Sequence, residues 1–376
     1  MLRNVNFDLY IPDSSSPIDI AFRIEKRGDY YMIYVVVPEF PDKEFRVKAT
    51  LDDIENLSRN LQDSIETISG YCEDRQPEPE EIRGLVKLGY KAFRVIFDKS
   101  DVWDYVKDWM HSKSNVKVAI DSKQFTLPWE LISHKNYDKT FSYQHFWGMR
   151  YQVYRRVEPP MGKLPSMQES LDKVLRVGML ANHELEKVSK EEIPFLQGLQ
   201  KDGKISLSIL PKEEGVELED IEDLRDFFGT DFNIVHFACH AHYKEKNPPL
   251  SCFKLSSGFE LTLQDLETED VSFEGSPLAI LNACNTSVVD PRYTSNFINA
   301  LLDLGACGVI TTECSVPDLF AAQFIKQLYT NLLGGLSLGE SLLKSRKHFL
   351  QYDNPSGLLY SMYGSPSIRL VSQEIS

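Results

Sequence analysis

Residues 234–242 read Ile-Val-His-Phe-Ala-Cys-His-Ala-His, and residues 278–287 read Leu-Ala-Ile-Leu-Asn-Ala-Cys-Asn-Thr-Ser. Each stretch starts as a short apolar run and then breaks into polar residues. Such a run, bounded by turn signals, suits a strand buried on both faces. Further strands are predicted outward from these two, at 174–180, 205–210, 309–312 and 367–370. Helices are predicted between them, near 217–228, 293–304, 318–333 and 338–349. Short apolar strands alternating with amphipathic helices predict an α/β fold, a mostly parallel sheet flanked by helices.

Upstream, the pattern changes. Strands are predicted at 18–24, 30–37 and 45–49, where β-branched and aromatic residues gather around turn signals. Leu51, Ile54, Leu57, Leu61, Ile65 and Ile68 then recur at three- and four-residue steps, one apolar stripe of a helix. This predicts a small β-rich head over 1–75. Polar, Pro-bearing residues 73–81 form the first expected linker. Residues 80–160 follow as a second unit, with a helix opened by the acidic pair Glu80 and Glu81, a helix at 102–110 and a strand at 116–120. Residues 159–167, Pro-Pro-Met-Gly-Lys-Leu-Pro-Ser-Met, form the second linker, and 165–376 the third unit. No repeat of solenoid period is visible.

Composition narrows the function. The 376 residues are 42% hydrophobic and 26% charged, ordinary for a globular chain. The formal net charge is -15, which repels phosphate backbones, so no nucleic-acid partner is expected. No apolar run reaches about 18 residues, and Met1 to Asp13 lacks the pattern of a signal peptide; neither a membrane span nor export is expected. Six cysteines occur, at 72, 239, 252, 284, 307 and 314, with no C-x-x-C pair. Cys239, Cys284 and Cys307 lie in apolar runs, where free thiols are common, so a reducing cytoplasm is expected. No metal site or cofactor is expected: there is no H-E-x-x-H or carboxylate cluster, and Gly334-Gly335 lacks the Lys-Ser/Thr of a phosphate loop.

In open α/β sheets, ligands bind beyond the carboxyl ends of the strands. The residues that follow the two quoted runs therefore matter most: His240 after one, Cys284 after the other. A free thiol has a pKa of about 8.5, yet the thiolate is the nucleophile. An imidazole nearby takes the thiol proton and later protonates a leaving amine. If the two strands are neighbours, both groups stand over one sheet edge. His236 lies four residues before His240, a rise of roughly 13 Å along an extended chain, which places it inside the sheet as a structural residue. Spacing alone also permits a core thiol at Cys284 and surface-loop roles for His240 and His242.

The order of several short boxes adds to this. Phe237-Ala-Cys-His240 is followed 44 residues after His240 by Leu281-Asn-Ala-Cys284-Asn-Thr. These resemble the His and Cys boxes of CHAT domains, a family of caspase- and separase-like peptidases. Gly305-Ala-Cys-Gly-Val-Ile310 is similar to the family's GA-x-x-V-I strand, and Cys314-Ser-Val-Pro-Asp318 to its W-x-V-x-D box. Pro355 through Pro366 resembles the closing strand region, and Leu127-Pro-Trp-Glu-Leu131 the P-W-E-L box of the amino-terminal half. The likeness spans about 80–370. Two departures stand out: Ala241 replaces the usual Gly after the His, and Cys314 replaces the aromatic of W-x-V-x-D.

The resemblance implies a caspase-like sheet over 165–376 and a degenerate companion half over 80–160. It implies a cysteine endopeptidase with Cys284 as nucleophile and His240 as acid/base. The backbone N–H groups of Ala241 and Cys284 would hold the oxyanion, and no cofactor would be needed. Asp318, reinforced by Glu313, would line a pocket for a basic residue before the scissile bond; the alternative is that Asp318 only caps the helix that begins there. The implied partners are a protein substrate and an activating protein or ligand, in a bacterial defence or signalling setting. Two rivals remain open on the sequence: a catalytically silent interaction module of the same fold, and a small-molecule hydrolase. Trp129 and Glu130 are expected to be a packing ring and a buried carboxylate tying the two halves together.

Overall fold

The computed structural model describes residues 18–38, 45–71, 75–97, 102–113, 115–121, 127–156, 174–212, 221–244, 246–268, 271–282 and 291–370. The head contributes β1 (Ile20–Arg27), β2 (Tyr30–Val36) and β3 (Phe45–Thr50), then helix α1 (Leu51–Tyr71). Next come α2 (Pro79–Phe97), α3 (Val102–Ser112), β4 (Lys117–Asp121), the short α4 (Trp147–Arg150) and β5 (Gln152–Arg155). The last unit holds β6 (Leu175–Ala181), α5 (Ile193–Lys201), β7 (Ile205–Leu210), α6 (Ile221–Phe228) and β8 (Ile234–Ala238). It continues through β9 (His240–His242), β10 (Cys252–Lys254), β11 (Glu260–Thr262), α7 (Leu263–Thr268) and β12 (Leu278–Leu281). It closes with α8 (Pro291–Asp303), β13 (Gly308–Thr312), α9 (Asp318–Leu333), α10 (Leu338–Phe349) and β14 (Tyr360–Gly364).

Among the described residues, eleven strands form one sheet in the order β3-β2-β1-β4-β5-β14-β13-β12-β8-β6-β7. Seven of its ten neighbouring pairs are parallel, so the fold is the expected mostly parallel α/β sheet. The head is continuous with the rest, because β1 pairs parallel with β4. The central strands read as unbroken apolar runs because both faces are covered: every residue of β8, β12 and β13 is buried. The predicted stripe of α1 is buried at Ile54, Leu57, Leu61, Ile65 and Ile68. α2, opened by Glu80 and Glu81 as expected, runs on to Phe97. It continues because Gly89 lets its backbone pass close to the Leu131 carbonyl, which a Cβ there would strike.

One expected strand is corrected. Residues 367–370 form only an isolated bridge, Arg369 to Ser337, and the strand beside β13 is β14, antiparallel to it. The carbonyls of this tail serve α10 instead. Leu338 N–H donates to Ile368 O at 2.7 Å and Gly339 N–H to Pro366 O at 2.9 Å, satisfying two helix-start donors. The second expected linker, 159–167, lies outside the described residues. Not anticipated were β5, the helices α4, α5 and α7, the π-helical turn Val188–Glu192 leading into α5, and a separate antiparallel sheet in the order β11-β10-β9.

Candidate active site

The strands carrying the two boxes are parallel neighbours, with Phe237 opposite Leu281. Asn282 N–H then donates to Phe237 O at 3.0 Å, so the chain is still in register one residue past β12. Both chains therefore leave the sheet at the same carboxyl edge. Cys284 itself, within 283–290, lies outside the described residues. At Cys239 the chain leaves the large sheet and enters β9. His240 and His242 share one half-exposed face of β9, while Ala241 on the other face is buried opposite Phe253.

This small sheet is tied down beside the site. Asn182, just after β6, donates from its backbone to Ala238 O at 2.8 Å and from Nδ2 to Lys254 O at 3.2 Å. Ser256 Oγ donates to Ala181 O at 3.3 Å. Lys254 is the residue opposite His240 in the β9–β10 ladder, so these bonds fix where His240 starts.

A buried polar cluster lies under the same edge. Asn282 Nδ2 donates to Glu192 Oε1 at 2.9 Å, and Tyr360 Oη donates to Asn282 Oδ1 at 2.9 Å. Glu192 comes from the π-helical turn. Its Oε2 lies 3.2 Å from His236 Nε2, yet the two atoms are not aligned as a hydrogen bond, and among the described residues neither has a hydrogen-bond partner. Tyr329 Oη lies 3.5 Å from His236 Nδ1, its ring stacked on the imidazole. Burial, with Glu192 adding, pushes the Tyr329 phenol well above its ordinary pKa. His236 is thus the structural residue expected from its position inside the strand, fully buried.

The four described cysteines are free thiols, and all are pushed toward the protonated form. Burial raises Cys252 to about 11 and Cys307 to about 12, and lifts Cys239 and Cys314 well above the ordinary range. None of them has the character of a nucleophile.

β13 stands on the other side of β12 and leads to the presumed specificity box. Here the two acidic residues part company. Glu313 is buried, its carboxylate 3.2 Å from Arg155 Nη2 and accepting from Tyr363 Oη at 3.3 Å. It is committed to an internal ion pair rather than to the groove. Asp318 is exposed at the first residue of α9; the cap position is Pro317, and no side-chain capping bond is made there.

Glu313 belongs to a second buried cluster. Arg155 forms a two-pronged pair with Glu130, one prong at 2.9 Å. Arg346 Nη2 lies 3.4 Å from Glu130 Oε1 and donates to Tyr360 O at 2.5 Å, while Nη1 donates to Gly148 O at 3.1 Å. Burial, together with the neighbouring Arg155 charge, brings Arg346 down to about 10 despite Glu130. Burial also opposes the charge on Arg155, but Glu130 and Glu313 hold its pKa above the usual value. Glu130 ties this segment to α10 through Arg346, and Trp129 packs against Phe22 and Trp147. Arg155, Arg346, Glu192, Asn282 and Tyr360 escaped the sequence reading. The visible signals were a charged residue in an extended segment, Tyr-Gln-Val-Tyr-Arg, and an Asn two places before Cys284.

The head also reaches this region. Glu66 of α1 is half-buried and accepts a hydrogen bond from Ser315 N–H; burial, then the nearby Asp63, raise its pKa. α1 packs as well against the Ser356–Leu359 turn ahead of β14.

The model of the CHAT domain matches residues 102–367. The chain belongs to the CHAT-domain family. Among solved structures, this CHAT chain is similar to separase in the Saccharomyces cerevisiae separase–securin complex. That match has 12% identity and a TM-score of 0.52, and covers 92% of this chain and 30% of that one. The coverage exceeds the CHAT match, so the likeness of fold takes in part of the head. A weaker likeness is to the Arg-specific cysteine proteinase gingipain R of Porphyromonas gingivalis, at 11% identity and a TM-score of 0.46, covering 85% of this chain and 76% of that one. At such identities the likeness is one of fold alone. No curated protein matches the chain significantly. Among the described residues no group of three or more His, Cys, Asp or Glu is placed to hold a metal, and no helix is long and apolar enough to cross a membrane.

Proposed function

We propose that this CHAT chain is a cysteine endopeptidase acting on a specific protein partner. The Cys284 thiol gives its proton to His240, and sulfur attacks the scissile carbonyl. The backbone N–H groups of Ala241 and Cys284 hold the resulting oxyanion. His240 then protonates the amine as the C–N bond breaks, leaving a thioester, and water hydrolyses it with His240 as base. The observation that supports this reading is the parallel β8–β12 pair, in register up to Asn282, two residues before Cys284.

The preferred cleavage is after Arg or Lys. Asp318 supports this because its carboxylate is exposed and spent on no cap, one strand along from the Cys box. Glu313 supports the pocket from behind, through Arg155, rather than by touching substrate. We place the enzyme in a reducing cytoplasm, in bacterial defence or signalling, under control of an activating protein or ligand. Separase, whose fold this one resembles, is recorded in complex with securin, and a protein partner is the matching proposal here.

The test uses peptides matched except for Arg, Lys, Met or Asp before the cut. Wild-type enzyme is expected to favour Arg and Lys, and Asp318→Asn to lose roughly 30-fold or more in kcat/KM on those two, the effect of unpairing a buried charge. Unchanged Arg preference in the variant, or wild-type preference for Asp, overturns the pocket. Failure of a peptide electrophile to label Cys284 overturns the peptidase.

A further inference from the structure

We infer that the cleft between the head and α2 binds a small phosphorylated anion of nucleotide size. The cleft has a volume of about 370 Å³ and is formed by the end of β3, the start of α1, the middle of α2 and the turn at Asn136. That volume falls within the range of small-molecule sites. Its lining carries Lys48, Lys87, Lys91 and Arg94 against one carboxylate, Asp53. In a chain of net charge -15, such a local excess of cations stands out.

The pairing pattern along α2 is the second observation. Outside the cleft, its charges are matched: Arg83 pairs with Glu80 at 2.9 Å, and Glu81 with Arg75 at 2.7 Å. Within the cleft, Lys87 and Lys91 sit four residues apart on one face and make no ion pair among the described residues. Like charges at that spacing repel and destabilise the helix, unless an anion lies between them. Asp53 accepts from Thr50 Oγ1 at 2.5 Å in the first turn of α1 and forms no ion pair with these cations among the described residues.

The remaining lining selects the ligand class. Lys87 and Lys91 offer point charges suited to phosphate oxygens. Tyr90 presents a half-buried ring, braced against Phe93 at 6.1 Å in a stacked arrangement, that suits a base. A nucleic-acid strand would need a longer basic track and would meet the negative remainder of the surface. A nucleoside di- or triphosphate needs only the cleft.

This inference stands apart from the peptidase reading, and its test keeps the two separate. ATP and pyrophosphate are titrated calorimetrically into the full chain and into its Cys284→Ala variant. Both proteins are expected to bind both probes at one site. Combining Lys87→Gln with Lys91→Gln, exposed positions whose loss leaves the circular dichroism unchanged, is expected to weaken binding by about tenfold or more. Binding untouched in the double variant overturns the assignment. So does the absence of heat with either probe at millimolar concentration, or capture of phosphatidylserine vesicles by a chain that binds neither.

Discussion

Two buried polar clusters sit within this one sheet, and they are built on opposite plans. The cluster of Glu130, Arg155, Glu313 and Arg346 is made of full charges, two of each sign. It joins the 127–156 segment to the end of β13 and to α10 by buried ion pairs. The cluster of Glu192, His236, Asn282, Tyr329 and Tyr360 is made mostly of dipoles around a single carboxylate. Its Glu192–His236 contact, at 3.2 Å, is left unmade as a hydrogen bond. Balanced charge is costly to separate and suits a permanent joint. A dipolar cluster with one open contact places the end of β12 while leaving room for adjustment.

The comparison can be broken in three places. The largest effect belongs to the edge that the dipolar cluster serves. Cys284→Ala is expected to abolish peptide cleavage, and His240→Ala to lower kcat about a hundredfold or more, the scale of general acid–base catalysis. Neither is expected to shift the urea midpoint. Cys239→Ser, one residue before His240, is expected to stay active; if Cys239 proves indispensable and Cys284 does not, the cluster positions no nucleophile.

The charged joint comes next. Arg155→Met leaves Glu130 and Glu313 buried without their shared cation, and a loss of about 3–5 kcal/mol in urea unfolding is expected. A loss below about 1 kcal/mol would show that the joint does not hold the halves. The smallest effect tests the open contact. Glu192→Gln keeps an oxygen for Asn282 Nδ2 and turns an amide donor toward His236 Nε2, so its stability cost is expected to stay within about 1 kcal/mol. Labelling of Cys284 by the peptide electrophile is expected to slow, with an altered pH profile. Destabilisation as large as that of Arg155→Met would erase the distinction between the clusters.

The sequence disclosed these regions unequally, for physical reasons. The limits of β7, β8, α9 and α10 match the expected ones because each is bounded by residues that act locally; Ser337 and Glu340, for example, form a capping box at the start of α10. β5 stayed hidden because Gln152 and Arg155 resemble surface residues. Arg155 is buried only because Glu130 and Glu313, distant in sequence, neutralise it. β9 to β11 are three residues each, too short to show a period. The closing strand is instructive: Ile368 and Leu370 alternate like a strand, but α10 claims the neighbouring carbonyls, while the family-like region 355–366 does contain β14. Around the candidate site, the sequence put His240 just beyond β8 and His236 inside it, where both lie. It could not foresee Glu192, since a π-helical turn has no periodic signature.

α1 joins two places that the chain otherwise keeps apart. Asp53, in its first turn, lines the basic cleft, and Glu66, thirteen residues later, grips the Ser315 backbone three residues before Asp318. At the rise of an α-helix these points are about 20 Å apart. A packed helix neither stretches nor compresses appreciably over that span. It therefore holds the basic cleft and the Ser315 turn at a fixed separation.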